Sequence, residues 1–281
     1  MKLTDHDGQA STVTCTVRGE DFERMQSTFG VDEARLWEEI NVELKGALES
    51  EARKRNVARL FKIGVTGHAY PYWQAKEEGI SKDLKKEVKK LDKWLKKTGR
   101  HEKRFEIVSR ALQKRGFVFK EPDLIQVDYE RIINDATGPL ADCARALREF
   151  DSSAQRSRLA SLFLAFFQSL EYVEIGERDE NGRLIRGFWV PTEVLAQQAG
   201  DCDSKGAAFC AMWRQTPEWV LLALDRKCNH ALVGVKGTSA ARCQYRVGNL
   251  NFVLYEVVSG VPPCPCASDY DYVLIEPAGS Q

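Results

Sequence analysis

The sequence predicts an α+β protein, because helical patterns come first along the chain and β-rich runs follow them. In the first long helical pattern, apolar residues recur every four positions, at Leu36, Ile40, Leu44 and Leu48. Towards the C-terminus, β-rich runs lie at 218–224, 231–236, 243–247, 251–258 and 271–276. Strands that follow helices rather than alternating with them favour the α+β class.

The composition is that of a folded protein. The chain has 281 residues, 43% of them apolar, and its 41 Lys and Arg balance its 41 Asp and Glu. This argues against intrinsic disorder and against a general polyanion binder. The length allows one large domain or two modest ones. Because Asp135–Pro139 is typical of a boundary, we predict a mainly helical N-terminal region, 1–136, and a second region, 137–281.

The N-terminal region is expected to be helical apart from one strand. A long helix is predicted over 32–62, where a glycine-containing stretch ends it. Another helical pattern begins at residue 82 and continues until Gly116 stops it. Alternating apolar and polar residues over 125–130 predict a half-buried strand.

The second of these helical patterns is strongly basic. Residues 82–104 contain 11 Lys or Arg against 4 acids. Apolar residues also give this helix a buried side, so a solvated basic face is the first interpretation. The alternative is a docking surface for an acidic partner. Nucleic acid is unlikely as that partner, because Trp94 is the one aromatic residue interleaved with the charges.

Two helices of the C-terminal region stand out. The pattern over 159–170 is apolar around most of the helix, so this helix should be central. After a short helix that opens at Pro191, the stretch GDCDSKG at 200–206 leads into a second buried helix. Cys202 therefore lies where a loop turns into a helix.

That position suits a nucleophilic thiol. Unpaired amides and the positive end of the helix dipole stabilise a thiolate in the first turn. A small core residue that happens to begin a helix is the alternative. His230 opens a predicted strand, and the other three His lie within the first 101 residues. Thiol catalysis needs such a base held beside the sulfur.

A third group should orient the imidazole and stabilise its charged form. Glu256 is the one acid in the apolar run FVLYEVV at 252–258. A buried carboxylate is costly unless it is paired. Glu276, in a similar setting, is the rival candidate, and we favour Glu256.

These segments resemble the Cys, His and acid segments of bacterial transglutaminase-like cysteine peptidases, a branch of the papain-like superfamily. The stretches that carry the resemblance are GDCDSKG at 200–206, NHALVGV at 229–235 and FVLYEVVSG at 252–260. Upstream, FFQSLEY at 166–172 matches an aromatic-rich helix that ends in Gln, and WVPTEVL at 189–195 matches a further stretch with slightly different spacing. The resemblance spans about residues 155–260 and does not include the N-terminal half.

The resemblance implies a papain/transglutaminase-like core, in which the helix carrying the Cys packs on an antiparallel sheet carrying the His and the acid. It implies Cys202 as nucleophile, His230 as general base and then acid, and Glu256 as the orienting carboxylate. Transglutaminases proper have Asp at the acid position. Gln168 would join the Cys202 backbone N–H in an oxyanion hole, although it could instead only cap its helix.

The implied activity is thiol-dependent hydrolysis of an amide or peptide bond in a protein or peptide substrate, through a thioester and without a cofactor. Amide transfer of the transglutaminase type and an inactive protein-binding module are the alternatives. A zinc site is a further alternative, because Cys228, His230, Cys264 and Cys266 offer suitable ligands. Their spacing differs from that of ordinary structural zinc sites, so no metal is expected.

The sequence also suggests a compartment. The first residues lack the apolar run of a secretory signal, and no stretch is long and apolar enough for a membrane helix. A cytoplasmic protein without membrane association is therefore expected. In a reducing compartment, its eight cysteines would be free thiols.

Overall fold

The computed structural model describes residues 2–4, 10–71, 81–96, 100–121, 124–150, 156–225, 229–237, 243–259 and 270–278. These residues form a mixed α+β structure, which confirms the predicted class. They divide into two compact units. The first unit consists of residues 1–30, 127–181 and 185–281, and the second unit of residues 31–126 and 182–184.

Helices account for most of the regular structure. The described helices are α1 (Gly19–Thr28), α2 (Glu33–Lys54), α3 (Lys82–Trp94), α4 (Arg100–Gln113), α5 (Tyr129–Thr137), α6 (Ala141–Phe150), α7 (Arg156–Gln168), α8 (Pro191–Gln197) and α9 (Cys202–Trp213). Within the described ranges, none of them has the length and apolar character needed to cross a membrane.

The strands form one large sheet and several two-stranded ones. The described strands are β1 (Lys2–Thr4), β2 (Ala10–Thr12), β3 (Phe61–Ile63), β4 (Ala69–Pro71), β5 (Phe117–Glu121), β6 (Leu124–Val127), β7 (Glu171–Tyr172), β8 (Ala199–Gly200), β9 (Val220–Asp225), β10 (His230–Lys236), β11 (Gln244–Val247), β12 (Leu250–Tyr255) and β13 (Asp271–Ile275). The large sheet has the order β11-β12-β10-β9-β13, and every neighbouring pair is antiparallel. Its strands are the five β-rich runs expected from the sequence.

Helix α9 packs directly on this sheet, against β9 and β10. Gly206 allows the close approach, because a Cβ at that position would lie 2.7 Å from Cδ1 of Leu222. Further along α9, Phe209 and Trp213 are fully buried and meet the ring of Phe163 from α7 edge to face. The apolar helix α7 therefore covers α9, as its pattern predicted.

Helix α2 ends eight residues earlier than the sequence suggested. Asn56 adopts a left-handed conformation with φ of 55°, and its N–H donates to the carbonyl of Arg53. The N–H of Val57 donates to the carbonyl of Ala52, which completes a Schellman motif. This motif satisfies the last carbonyls of the helix, and Phe61 already lies in β3.

The predicted basic helix corresponds to two helices. Residues 82–94 form α3, residues 100–113 form α4, and residues 97–99 lie outside the described part of the chain. Val88 and Leu91 bury the inner side of α3 in a cluster with Phe61 of the second unit. The remaining faces of α3 carry its lysines.

The observed units do not follow the predicted division at residue 136/137. Residues 1–30 and 127–136 belong to the first unit, together with the C-terminal part of the chain. Helix α1 packs on α8 and helix α5 packs on α9. In addition, the rings of Phe29 and Phe188 meet edge to face, with centroids 5.5 Å apart. These contacts join segments that are far apart in sequence, so local composition could not reveal them.

Candidate active site

Cys202 is the first residue of α9, and Asp201 is the N-cap. The Asp201 carboxylate accepts a hydrogen bond from the backbone N–H of Ser204 at 3.2 Å. The Cys202 side chain is half-buried and is a free thiol. Its sulfur therefore lies at the positive end of a buried 12-residue helix, where a negative charge is stabilised.

His230 is the first residue of β10 and contacts both of its predicted partners. Its Nε2 hydrogen-bonds a carboxylate oxygen of Glu256, and both side chains are largely buried, with 11% and 15% of their surface exposed. The imidazole is also hydrogen-bonded to Cys202. Because Nε2 is occupied by Glu256, Nδ1 is the nitrogen left for the sulfur.

The charge state of His230 follows from these two contacts. The hydrogen bond with Cys202, and next the one with Glu256, raise the pKa of His230 to about 10, against the opposing effect of burial. The ring is therefore an imidazolium at neutral pH. An imidazolium beside a sulfur is the arrangement that stabilises a reactive thiolate.

Glu256 is itself held in place. It directly follows β12, and its Oε1 accepts a hydrogen bond from the backbone N–H of Val258 at 3.1 Å. Glu276 follows β13, which lies on the far side of β9 from β10, and its side chain is exposed. Of the two candidate acids, the structure brings Glu256 to His230.

Gln168 is the last residue of α7, and its side chain reaches the same group. Its Nε2 donates to the backbone carbonyl of Glu256 at 2.8 Å. An amide nitrogen carries two protons, so a second N–H remains as a donor. The structure thus places the Gln168 amide beside the carboxylate residue of the site.

A short parallel pairing of two strands brings Tyr172 close to Cys202. Strand β7 pairs with β8, which sets Tyr172 opposite Gly200, two residues before Cys202. Partial burial and then the negative charge of Cys202 raise the pKa of Tyr172. Tyr172 is still 46% exposed, so its ring is accessible to a ligand at this site.

Four further polar residues surround Cys202 that the sequence did not single out. Tyr129 donates to a carboxylate oxygen of Asp203 at 2.6 Å, although the two are 74 positions apart. Burial and then repulsion from Asp203 raise the pKa of Asp201 to about 8. Lys205 is fully buried beneath them. The motif GDCDSKG contains both acids and the lysine, but no local pattern could have revealed Tyr129.

The cysteines do not all behave as expected. Cys15, Cys143 and Cys210 are free, but Cys243 is disulfide-bonded, which contradicts the expectation that all eight are thiols. Burial raises the pKa of Cys210. A hydrogen bond with Cys143 lowers the pKa of Cys15, which is half-buried. Cys15 is therefore a second thiol that can react.

The zinc alternative concerns residues that are mostly outside the described ranges, namely Cys228, Cys264 and Cys266. Among the residues described, no three His, Cys, Asp or Glu side chains are arranged to hold a metal ion. The fourth candidate ligand, His230, is engaged with Cys202 and Glu256.

Comparisons with known proteins add no assignment. No family model matches the chain, and neither a curated protein nor a solved structure matches it.

Proposed function

We propose that the protein is a thiol-dependent amidase or peptidase of the transglutaminase-like type, with Cys202 as nucleophile. The observation that carries this proposal is the hydrogen-bonded chain from Cys202 through His230 to Glu256. All three lie in the first unit, at a helix start, a strand start and the residue after a strand. A papain-like core, with α9 on the antiparallel sheet, belongs to the same proposal.

The proposed reaction begins with attack of the Cys202 sulfur on an amide carbonyl carbon. The carbonyl oxygen becomes negative and is bound by the backbone N–H of Cys202 and the free N–H of Gln168. His230 then gives its proton to the leaving nitrogen, the C–N bond breaks, and a thioester remains.

The thioester is resolved by water. Neutral His230 takes a proton from the water as the oxygen attacks the thioester carbon. The C–S bond breaks, the acid product leaves, and the thiolate–imidazolium pair is restored. Glu256 holds the ring and stabilises its charged form throughout. The half-exposed ring of Tyr172 suits contact with a protein or peptide segment.

A primary amine could resolve the thioester in place of water, which would make the protein an amide transferase. Transfer requires a site that excludes water and binds the amine. Incubation with candidate peptides and a labelled primary amine, with the products identified by mass spectrometry, distinguishes hydrolysis from transfer. Hydrolysis gives new peptide termini or deamidation, whereas transfer gives a product that carries the labelled amine. Incorporated amine in excess of hydrolysed product would overturn hydrolysis.

The decisive test of an enzymatic role is Cys202→Ala, with Cys210→Ala as the matched control. Both variants remove one sulfur from α9, but Cys210 is fully buried away from the site. We expect Cys202→Ala to abolish product formation and the thioester seen by mass after rapid acid quench. If neither peptides nor amides react with the wild type and no thioester forms, the protein is instead an inactive binding module.

A separate feature of the second unit supports a docking role. Helix α3 carries a row of exposed lysines on the side opposite Val88 and Leu91, at Lys82, Lys85, Lys86, Lys89 and Lys93. Residues three and four apart share one face of a helix, so these charges form a single line. We propose that this lysine row binds an acidic protein segment, since the formal net charge of zero disfavours a long polyanion such as nucleic acid.

A further inference from the structure

Lys205 is a buried charge that the proposed reaction does not use. It is the fourth residue of α9, three positions after Cys202, and none of its surface is exposed. Lysine is almost never fully buried without a partner, because removing an ammonium from water is costly. Its presence in the first turn of this helix therefore needs a reason.

The partner of Lys205 is the segment that follows α7. Its Nζ donates to the backbone carbonyl of Leu170 at 2.7 Å. Leu170 lies between Gln168 and Tyr172, which we call the 168–172 turn. The other end of this turn is fixed by Gln168, whose amide donates to the Glu256 carbonyl. The turn is thus tied to helix α9 on one side and to the acid residue on the other.

The charges around Lys205 are acidic. Asp201, Glu171 and Glu256 all act on its ammonium through space and favour the charged form. Burial has the larger effect and lowers the pKa of Lys205. Asp203 and the Cys202 sulfur add negative charge to the same end of α9. His230 is a second cation at the site.

We propose that Lys205 is a positioning residue of the site, whose ammonium ties the 168–172 turn to α9 and offsets the negative charge around Cys202. This inference rests on the proposed function and deepens it. The tether sets the Gln168 amide and the Tyr172 ring relative to the sulfur. The charge favours the two negative species of the reaction, the thiolate and the carbonyl oxyanion.

Two substitutions separate the tether from the charge. Lys205→Met removes both and keeps a long side chain in the buried slot, whereas Lys205→Gln removes the charge and keeps a hydrogen-bond donor. Lys114→Met, at an exposed position directly after α4, is the matched control for loss of a lysine. All three are made in the full-length chain, and folding is checked by circular dichroism and thermal unfolding.

The first readout does not depend on activity. The rate of Cys202 alkylation by iodoacetamide is followed by mass spectrometry as a function of pH. We expect the rise in this rate to move to higher pH in both Lys205 variants and to stay unchanged in Lys114→Met. With an active peptide substrate, kcat should fall about tenfold to a hundredfold in Lys205→Met with a smaller change in KM, because a misplaced donor costs transition-state binding.

The outcomes are decisive in both directions. A folded Lys205 variant with the wild-type alkylation profile and kcat overturns the inference. Loss of folding in both variants also overturns it, because Lys205 would then serve only the stability of the fold. Failure of the proposed function shows differently, as a wild-type Cys202 that alkylates no faster than a free cysteine and forms no thioester.

Discussion

His230 and Glu256 form a hydrogen-bonded ion pair through Nε2 of the ring and a carboxylate oxygen, although they lie 26 positions apart. The antiparallel pairing of β10 with β12 brings them together. Because His230 opens β10 and Glu256 follows the end of β12, both side chains lie at the same end of adjacent strands, where α9 begins with Cys202.

Cys202 should be the fastest-reacting thiol of the protein. The helix start and the imidazolium of His230 both favour its thiolate, whereas Cys143 and Cys210 are buried. Iodoacetamide at neutral pH, with sites quantified by mass spectrometry, measures the rates. Cys15 is the competitor, so the Cys15→Ser variant is the control. Equal rates at all free cysteines would remove Cys202 as the nucleophile.

The charge of His230 should depend on Glu256. Because Glu256 is, after Cys202, a cause of the raised pKa of His230, Glu256→Gln should lower this pKa from about 10. NMR of the ring measures the titration directly. The alkaline limb of kcat/KM should move to lower pH, since the imidazolium protonates the leaving nitrogen.

The exposed Glu276 provides the matched control, and Glu276→Gln should leave the His230 titration unchanged. Since His230 and Glu256 act together, the double variant should lose about as much activity as His230→Ala alone. If His230 titrates in Glu256→Gln as it does in the wild type, and Glu276→Gln is inactive, the orienting acid is Glu276, next to the last strand.

The same pKa predicts a pH dependence of stability. Folding raises the pKa of His230 above its ordinary value of 6.5, so the imidazolium stabilises the folded state fully below about pH 6.5. This contribution is lost as the pH rises towards 10. The free energy of unfolding in urea should therefore fall over this range, and it should fall less in Glu256→Gln. An equal slope in both proteins would contradict the prediction.

Helix α9 should not tolerate a side chain at Gly206. A Cβ there would lie 2.7 Å from Leu222, so Gly206→Ala forces helix and sheet apart and should cost about 1–3 kcal/mol of unfolding free energy. Gly46→Ala in α2 is the control, because no atom lies within 4 Å of its Cβ position. It should be stabilising by about 0.5–1 kcal/mol. Urea unfolding of both variants measures the difference, and a stable Gly206→Ala would contradict the packing.

The lysine row of α3 should bind acidic peptides in a salt-dependent manner. Binding of a fluorescent peptide rich in Glu is measured by anisotropy at low and high ionic strength. The double variant Lys85→Glu/Lys89→Glu should weaken peptide binding strongly, because the two new carboxylates at the centre of the row repel the acidic peptide. Lys62→Glu, elsewhere in the second unit, is the control. Equal binding by all variants, or stronger binding of single-stranded nucleic acid, would reject the acidic partner.

By itself, the sequence determined the elements of the C-terminal half and its candidate site residues. The period-2 runs predicted β9 to β13, because each strand buries one or both faces in a sheet. The sequence also predicted the apolar helix α7 and the helix that starts at Cys202, because both depend on residues that are close together in the sequence. Glu256 was favoured over Glu276 because a lone acid in an apolar strand needs a partner.

Tertiary structure alone decided which distant residues meet. The association of residues 1–30 with the first unit, the contact of Tyr129 with Asp203 and the tie of Lys205 to Leu170 involve segments without a shared pattern. The end of α2 also depended on the backbone geometry. Asn56 adopts a left-handed conformation there, which an asparagine tolerates but does not require. Local periodicity in the sequence shows which side of each helix or strand is buried. Which distant residues come into contact is set by strand order and helix packing, and both depend on packing across the whole unit.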